Sequence, residues 1–448
     1  MVKKWRILKE EISKAYTRNT AKKQIDSLTT QLSTIEEHMI RLMPELQHIQ
    51  RKTTRFEDVK NALKPDACAI EFVRFKYHNT KNWTDSVLYG ALVVFSNKPT
   101  PEFVYLCTET DLKSLLNKSK NPQQLYATRG KSNTDESSVL PSKELYNLIM
   151  KPLEPYFKDI KTIHYAPSGL LHQVAFAALP MNETEVLSDS FQLNALTSTR
   201  ELVKPNADFK VENITLYGGI QYGENLVKDS ANTNTPWQYL EGTKTEIDRI
   251  STLFKKKNIK FDAKLGFLAS EEAFKVKNTE GVSSGILHIA THGFFYKNKL
   301  DKTTNSAFQT ADNPLIRSGL IMANANKVWL GDAPQEGSED GILTAYEISN
   351  MNLSQTHLVV LSACETGLGD IQGTEGVYGL QRAFKMAGVE YILMSLWQVP
   401  DKQTAELMEQ FYSNLLNGAT IQAAFSTAQQ SMKEKYAPYY WAGFVLVR

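Results

Sequence analysis

The stretch LVVLSACETGLGD, from Leu358 to Asp370, joins a short continuous apolar run to a glycine-rich segment. Apolar runs of this length that end near glycine are typical of strands buried on both faces of a parallel sheet. In such sheets, functional groups gather beyond the carboxyl ends of the strands. The stretch therefore predicts an α/β protein and places the thiol of Cys364 at the edge of the sheet where chemistry is expected.

The same pattern continues on both sides of this stretch. Between residues 206 and 448, apolar strand candidates alternate with amphipathic helices, which predicts a mostly parallel sheet flanked by helices. The strand candidates are ITLYGGI, GILHIATHGFF, HLVVLSAC, YILMSLWQV and GFVLVR, and the helix candidates include KTEIDRISTLFKKK, ILTAYEISN and GVYGLQRAFKMAG. His292 lies near the end of the second strand candidate and is followed by Gly293. We expect His292 and Cys364 to meet at neighbouring strand ends.

A thiol becomes a useful nucleophile when a neighbouring base takes its proton and nearby N–H groups receive the developing oxyanion. In this interpretation His292 is the base and Cys364 the nucleophile. Gly293 lets the backbone approach a ligand closely, so its N–H and that of Cys364 form a candidate oxyanion hole, in which each donor is worth roughly 3–4 kcal/mol. The competing interpretation is a buried structural cysteine beside a structural histidine, and the residues alone leave both open.

Two other chemistries are weaker candidates. His288 and His292 form an H-x-x-x-H pair, which would bind zinc from one face of a helix. The flanking apolar residues favour a strand instead, on which positions four apart lie about 13 Å from each other. The segment GLGDIQGTEG, from Gly367 to Gly376, lacks the lysine of a phosphate-binding loop and carries two carboxylates, which repel phosphate. We therefore expect neither a metal nor any other cofactor.

Residues 63–205 form a separate region of the sequence. They contain the strand candidates CAIEFVRFKY, VLYGALVVFS and EFVYLC, followed by the helix candidate SKELYNLIMKPLEPYF. This pattern predicts a second α/β half. Its histidines do not precede a glycine-led turn paired with a strand-end cysteine, so we expect no catalytic constellation in this half.

Residues 1–62 are polar, lack glycine and are helical in pattern. Apolar residues at spacings of three and four form a heptad seam, whose length Pro44 limits. The members of this seam are Ile25, Leu28, Leu32, Ile35, Met39, Leu42 and Leu46. We favour an amphipathic helix that lies on the rest of its own chain. The alternative is a stripe that docks a regulatory protein partner.

The composition limits the partners and the location. The 448 residues include 51 lysines and arginines against 49 aspartates and glutamates, so the net charge of +2 gives no reason to expect nucleic acid or an anionic membrane as a partner. Three cysteines in so long a chain cannot form a disulfide framework, which indicates a reducing compartment. The first residues lack the apolar core of a signal peptide, and no run approaches the length of a membrane span. We expect a cytoplasmic protein.

Several segments resemble one protein family. HIATHGFF, LVVLSACETGLGDIQGTEGVYGLQRAFKMAGVEYILMSLWQVPD and the final YYWAGFVLV are similar to the CHAT domain of the caspase, separase and gingipain clan of cysteine proteases. The resemblance extends from about residue 66 to residue 448 and includes AIEFVRF, YAPSGLLHQVAFAAL, NPLIRSGLIMANAN and EDGILTAYEI. It implies a caspase-like fold in which a pseudo-protease half, residues 63–205, precedes the active half, residues 206–448.

The resemblance also implies the chemistry. Position by position, His292 becomes the general acid and base, Cys364 the nucleophile, and Gly293 with Cys364 the oxyanion donors. The thiolate would attack a peptide carbonyl, His292 would protonate the leaving amine, and water would release the acyl-enzyme. We expect a regulated cysteine endopeptidase that cleaves a protein substrate in bacterial defence or programmed cell death. The alternative is a catalytically silent protein-interaction module of the same fold.

One departure from the family concerns regulation. Relatives often carry tetratricopeptide repeats before this domain, whereas no repeat of about 34 residues is found here. We expect that another chain does the sensing or that this chain is part of a longer protein. The polar segments 297–313 and 331–341 are expected to be loops beside the dyad, and whether they gate the site or only connect elements is left open.

Substrate binding is expected at YILMSLWQVPD, which follows the cysteine segment. In this clan the corresponding strand pairs with an extended peptide, so main-chain groups near Ser395 and Trp397 would hold the substrate and Trp397 would shape an apolar pocket. Asp401 is similar in place to an acidic residue that, in separase-like relatives, receives a basic side chain before the scissile bond. The alternative role of Asp401 is to cap the following helix.

Overall fold

The computed structural model describes residues 1–17, 20, 22–42, 54–118, 122–126, 141–205, 209–223, 237–279, 284–296, 311, 313–332, 338–362, 370–371 and 377–448. Cys364, Pro44 and Leu46 lie outside these residues, as do most of the predicted loop 297–313 and residues 333–337 of the predicted loop 331–341. The chain divides into two compact units. The first comprises Met1–Thr53, Val211–Asp370 and Tyr378–Ile392, and the second comprises Thr54–Lys210, Ile371–Val377 and Leu393–Arg448.

Helices and strands alternate along most of the described chain. The α-helices are α1 (Val2–Thr17), α2 (Lys22–Leu42), α3 (Phe56–Ala62), α4 (Glu109–Lys118), α5 (Pro122–Leu125), α6 (Pro141–Ile149), α7 (Leu187–Ser190), α8 (Glu241–Lys256), α9 (Glu271–Thr279), α10 (Ala325–Trp329), α11 (Ala345–Ile348), α12 (Leu380–Met386), α13 (Asp401–Leu416), α14 (Ile421–Lys433) and α15 (Pro438–Trp441). Short 3₁₀ turns cover Lys151–Tyr156, Gly169–Gln173, Phe176–Ala178 and Thr199–Val203. The strands are β1 (Ala67–His78), β2 (Trp83–Phe95), β3 (Glu102–Thr108), β4 (Thr162–Ala166), β5 (Gln192–Ala195), β6 (Asn213–Ile220), β7 (Lys260–Gly266), β8 (Ile286–Ala290), β9 (Gly293–Phe295), β10 (Ser318–Ile321), β11 (Ile342–Thr344), β12 (Leu358–Ser362), β13 (Asp370–Ile371), β14 (Val377–Tyr378), β15 (Tyr391–Ser395) and β16 (Phe444–Val447).

The main sheet of the first unit has the strand order β12, β8, β6, β7. β8 pairs in parallel with β12 and β6, and β6 pairs in parallel with β7. Every residue of β8 and β12 is buried, as expected for parallel strands with both faces covered. Helix α8 packs against β6, and its Ile247, Ile250 and Phe254 are fully buried at the spacing of one helix face. The predicted α/β class, with a mostly parallel sheet flanked by helices, is confirmed.

A small antiparallel sheet has the strand order β11, β10, β9, and β9 begins directly after His292 in the sequence. The predicted strand GILHIATHGFF is in fact two strands, because β8 ends at Ala290 and β9 begins at Gly293. The prediction of a helix over ILTAYEISN was wrong for its first three residues, which form β11. Helix α11 starts only after Thr344, whose hydroxyl accepts the N–H of Glu347 as an N-cap.

The second unit contains strands in the order β3, β2, β1, β4, β5, β16. β1, β2 and β3 pair antiparallel, whereas β4 pairs in parallel with both β1 and β5. The last strand of the chain, β16, pairs in parallel with β5 through Val447 and Ala195. The chain's C-terminal segment is therefore part of this unit. The predicted domain boundaries after residues 62 and 205 stay predictions.

Within the first unit, helix α1 packs against α2 and against α11. Leu8 and Ile12 of α1 form a buried cluster with Leu32 of α2, and the partly buried Tyr346 of α11 packs against it. The Nζ of Lys9 donates to the Asn350 side chain at 2.9 Å. The heptad seam thus contacts the protein's own chain at Leu28, Leu32 and Ile35. Ile25 is also buried, whereas Leu42 is exposed. No helix among the described residues is long and apolar enough to cross a bilayer.

We predict that Gly341→Ala destabilises the protein far more than Gly331→Ala, although both glycines have a positive φ. A Cβ at Gly341 would lie 2.6 Å from the carbonyl oxygen of Ala323, whereas a Cβ at Gly331 would meet nothing within 4 Å. The left-handed conformation alone costs about 1–2 kcal/mol. Urea unfolding of both variants tests this, and equal losses of unfolding free energy would contradict the clash at Gly341.

Candidate active site

The register of the main sheet aligns the two strands that precede the predicted catalytic residues in the sequence. β8 and β12 pair in parallel with Ala290 opposite Ser362. His292 follows Ala290 by two residues, and Cys364 follows Ser362 by the same number. Adjacent strands lie about 4.8 Å apart, so β8 and β12 end side by side at the carboxyl edge of the sheet. The position of Cys364 itself lies outside the described residues.

The imidazole of His292 is oriented by one backbone carbonyl. Its Nε2 lies 2.8 Å from the carbonyl oxygen of Gln238. A carbonyl can only accept, so Nε2 carries the proton and donates it. In the neutral ring Nδ1 is then the basic nitrogen. The contact fixes the tautomer that a general base needs, with its lone pair on Nδ1.

Two aromatic rings adjoin this imidazole. The ring centroids of Tyr222 and Trp237 lie 5.1 and 5.2 Å from that of His292. Burial lowers the pKa of His292 below its ordinary value, and the hydrogen bond to Gln238 opposes that shift only in part. Because the ordinary value is about 6.5, His292 is neutral at pH 7 and ready to accept a proton.

A short hydrogen-bonded chain holds the Tyr222 ring in place. The hydroxyl of Thr291, which is fully buried, donates to the carbonyl of Ile321. Its oxygen then accepts from the Tyr222 hydroxyl at 2.9 Å. The main chain of His292 is fixed in turn, because its carbonyl accepts the N–H of Ile321 at 2.9 Å. Both the ring and the backbone of His292 are thereby fixed relative to β10.

The pairing of β9 with β10 directs the N–H of Gly293 away from the small sheet. Gly293 faces Leu320 in the antiparallel register. Because Ile321 bonds to the carbonyl of His292, Gly293 and Leu320 are a non-hydrogen-bonded pair, in which each N–H points away from the partner strand. The N–H of Gly293 therefore points away from β10. Its role in an oxyanion hole stays a prediction.

His288, the other histidine of the H-x-x-x-H pair, has a different environment. His288 lies in the middle of β8, is fully buried, and has its Nε2 3.0 Å from a carboxylate oxygen of Glu246 in α8. The other carboxylate oxygen of Glu246 accepts the Ser362 hydroxyl at 2.9 Å. The side chain of His288 is thus close to Glu246 of α8, whereas His292 lies beyond the end of β8.

Three carboxylates among the described residues lie close enough together to hold a cation. Glu271, Glu339 and Glu347 bring their oxygens together, and the ammonium of Lys275 lies 2.5, 2.9 and 2.8 Å from them respectively. Burial opposes the charge of Lys275, but the carboxylates of Glu347 and Glu271 raise its pKa above the ordinary value. Lys275 already supplies the positive charge at this cluster. The expectation that the chemistry needs no cofactor stays a prediction.

The predicted substrate-binding residues Ser395 and Trp397 are both buried. Ser395 ends β15 and is 2% exposed. The Trp397 ring lies 5.2 Å from that of Tyr126 and donates its Nε1–H to the carbonyl of Tyr439 at 3.0 Å. Trp397 thus packs among aromatic residues of the second unit. A contribution of either residue to substrate binding stays a prediction.

Asp401 is exposed at the beginning of helix α13. The N-cap position is occupied by Pro400, so the interpretation of Asp401 as the cap was wrong by one residue. In the first turn, a carboxylate stabilises a helix through its dipole by about 0.3–1 kcal/mol. The exposed carboxylate is accessible to solvent.

The residues that orient His292 were missed from the sequence. Gln238 acts through its main chain, which carries no residue-type signal. Tyr222 and Trp237 come from segments far from His292 along the chain. Only Thr291 had a local signal, its position directly before the histidine.

The CHAT domain family matches residues 139–448, more than half of the chain. Tetratricopeptide repeat protein 28 of Mus musculus and that of Homo sapiens are each 38% identical to this chain over 109 residues, which is 24% of this chain and 4% of theirs. The chain therefore spans a small fraction of these curated relatives. The Saccharomyces cerevisiae separase–securin complex shares 10% identity over 88% of this chain and 30% of that one, with a TM-score of 0.46. The Arg-specific cysteine proteinase gingipain R shares 9% identity over 76% of this chain and 74% of that one, with a TM-score of 0.40.

We predict that Trp237→Ala raises the pKa of His292 toward its ordinary value, because water then reaches an imidazole that burial keeps neutral. An NMR titration of the His292 ring signals measures the shift. Trp83→Ala is the control, because Trp83 is 70% exposed and lies in the second unit. A His292 pKa that stays constant or falls in Trp237→Ala would contradict this explanation of the shift.

Proposed function

Because the chain belongs to the CHAT domain family, we propose that it is a cysteine endopeptidase that uses His292 and Cys364 as its dyad. One observation supports this most strongly. The ring of His292 is neutral, half-buried and held by the Gln238 carbonyl at 2.8 Å, in the tautomer that leaves Nδ1 basic. A structural histidine needs no free lone pair at a sheet edge, whereas a general base does.

In the proposed reaction, Nδ1 of His292 accepts the proton of the Cys364 thiol. The thiolate sulfur attacks the peptide carbonyl, and the N–H groups of Gly293 and Cys364 stabilise the oxyanion. The imidazolium returns its proton to the leaving amine, and the C–N bond breaks. Water, deprotonated by the same Nδ1, then hydrolyses the thioester. The Gln238 carbonyl accepts from Nε2–H throughout and stabilises the transient imidazolium.

We further propose that Asp401 selects a basic side chain in the substrate. The carboxylate is exposed at the first residue of α13. A carboxylate paired with arginine discriminates strongly once the pair is desolvated, because a substrate without the charge leaves the carboxylate unpaired.

Regulation through the N-terminal helices is the remaining part of the proposal. Ser13 of α1 lies within hydrogen-bond distance of Thr344, at 3.2 Å between hydroxyl oxygens. Thr344 ends β11, whose partner β10 pairs with β9 next to His292. A protein that displaced α1 would therefore act on the sheet that supports the dyad histidine. Roles in bacterial defence or programmed cell death stay predictions from the resemblance, and a cytoplasmic location stays a prediction from the sequence.

We predict that Cys364→Ala abolishes cleavage of a proteome-derived peptide library and that His292→Ala lowers kcat/KM by about 10²- to 10⁴-fold, the usual contribution of general acid and base catalysis. Mass spectrometry of the products gives the rates. Cys107→Ala and His357→Ala are matched controls, because Cys107 is buried in the second unit and His357 pairs with Glu390. Absence of cleavage by the wild-type chain, or cleavage that survives Cys364→Ala, would support the silent interaction module instead.

A second prediction concerns specificity. Asp401→Asn should remove a preference for arginine or lysine before the cleaved bond, lowering kcat/KM for such peptides by at least about 10-fold while leaving apolar peptides unaffected. Glu409→Gln, on the same helix, is the control. A wild-type preference for apolar residues, or a basic preference that survives Asp401→Asn, would show that Asp401 does not form the pocket.

A further inference from the structure

We propose that Asn326 is a positioning residue for the dyad, because its side-chain amide fixes the backbone that carries the Gln238 carbonyl. The inference rests on the proposed function for its catalytic consequence, but its structural part concerns His292 alone. Asn326 belongs to α10 and is buried, with 9% of its surface exposed. It does not touch His292 and acts through the residues between them.

The amide of Asn326 makes two complementary hydrogen bonds with one residue. Its Nδ2 donates to the carbonyl of Trp237 at 2.9 Å. Its Oδ1 accepts the N–H of Trp237 at 3.2 Å. Because a backbone N–H only donates and a carbonyl only accepts, the orientation of the amide is unambiguous. The side chain thus pairs with Trp237 as a neighbouring strand would.

This pairing restricts the backbone that leads into the next carbonyl. The carbonyl of Trp237 belongs to the peptide plane that joins it to Gln238, and that plane is rigid. Holding both polar groups of Trp237 restricts the two dihedral angles that direct the chain into Gln238. The Gln238 carbonyl then lies 2.8 Å from Nε2 of His292. The same contact holds the Trp237 ring beside the imidazole.

Asn326 is itself fixed to the segment that carries the other ring. Its N–H donates to the carbonyl of Tyr222 at 2.8 Å, and the N–H of Asn324 donates to the carbonyl of Gln221 at 3.1 Å. Asn324 has a left-handed backbone with φ of +67°, which turns the chain from β10 into α10. One residue therefore ties together the main chains of Tyr222 and Trp237, whose rings both adjoin His292.

Only an asparagine side chain satisfies this geometry. Aspartate has nearly the same shape but cannot donate, so its oxygen would face the Trp237 carbonyl and repel it. Alanine loses both hydrogen bonds and leaves the Trp237 N–H and carbonyl without this partner. Asn326→Asp is therefore the sharper variant, because it removes one donor while preserving the volume.

The test is ¹⁵N NMR of the His292 ring in full-length wild type, Asn326→Asp and Asn326→Ala. We expect the Nε2–H tautomer to predominate in the wild type and to give way to a mixture with the Nδ1–H tautomer in both variants. If Asn326→Ala fails to fold, Asn326→Asp alone decides. Unchanged ring signals of buried His288 establish that the fold is intact, and Asn350→Asp, in the contact between Asn350 and Lys9, is the control.

The rate of peptide hydrolysis tests the catalytic consequence of the proposal. We expect kcat to fall about 10- to 100-fold in Asn326→Asp with KM within a factor of two, the usual effect of residues that orient a functional side chain. A tautomer population equal to that of the wild type in a folded variant would overturn the inference. If the wild type cleaves no peptide, the proposed function fails, and the tautomer measurement still decides the role of Asn326.

Discussion

The hydrogen bond from Nε2 of His292 to the Gln238 carbonyl, 2.8 Å long, is the interaction on which the proposed site depends. An imidazole at a strand end can rotate and can carry its proton on either nitrogen, and only one combination presents a lone pair to a thiol. A neutral carbonyl selects that combination without adding charge. A carboxylate in its place would raise the histidine pKa, whereas here burial keeps it low.

The fold supports this interaction through two sheets that meet in sequence at His292. The parallel sheet brings the chain to its carboxyl edge after Ala290, and the small antiparallel sheet begins at Gly293. The histidine is therefore confined to a two-residue turn, with its carbonyl held by Ile321. Thr291 occupies the other turn position, fully buried, and its hydroxyl bonds to the same Ile321 and to Tyr222. The backbone of His292 is therefore held in place, and the hydrogen bond to the Gln238 carbonyl restricts the rotation of its ring.

The parallel sheet and the placement of His292 at its edge could be predicted from the sequence, because continuous apolar strands followed by glycine have a simple physical cause. The residues that orient the His292 ring could not be predicted from the sequence. Gln238 contributes a main-chain atom, and Asn326 contributes an amide that pairs with another backbone, so residue type gives no signal for either. The strand β11 was mistaken for helix because ILT continues directly into AYEI, and the cap at Thr344 marks the boundary only once the geometry is known. The packing of Trp397 depends on Tyr126 and Tyr439, both remote in sequence.

The central claim is that Cys364 is activated by His292, and the chain's three cysteines allow a direct internal comparison. Burial raises the pKa of Cys68 and of Cys107 to about 12, so neither should react readily. The decisive measurement is the rate of alkylation of each cysteine by a peptidyl chloromethyl ketone, followed by peptide mapping at several pH values. The account predicts that Cys364 reacts faster than a free thiol, that its rate falls at pH values below the ordinary histidine pKa of about 6.5, and that His292→Ala removes the advantage. A Cys364 that reacts no faster than a free thiol, and equally in His292→Ala, would contradict it.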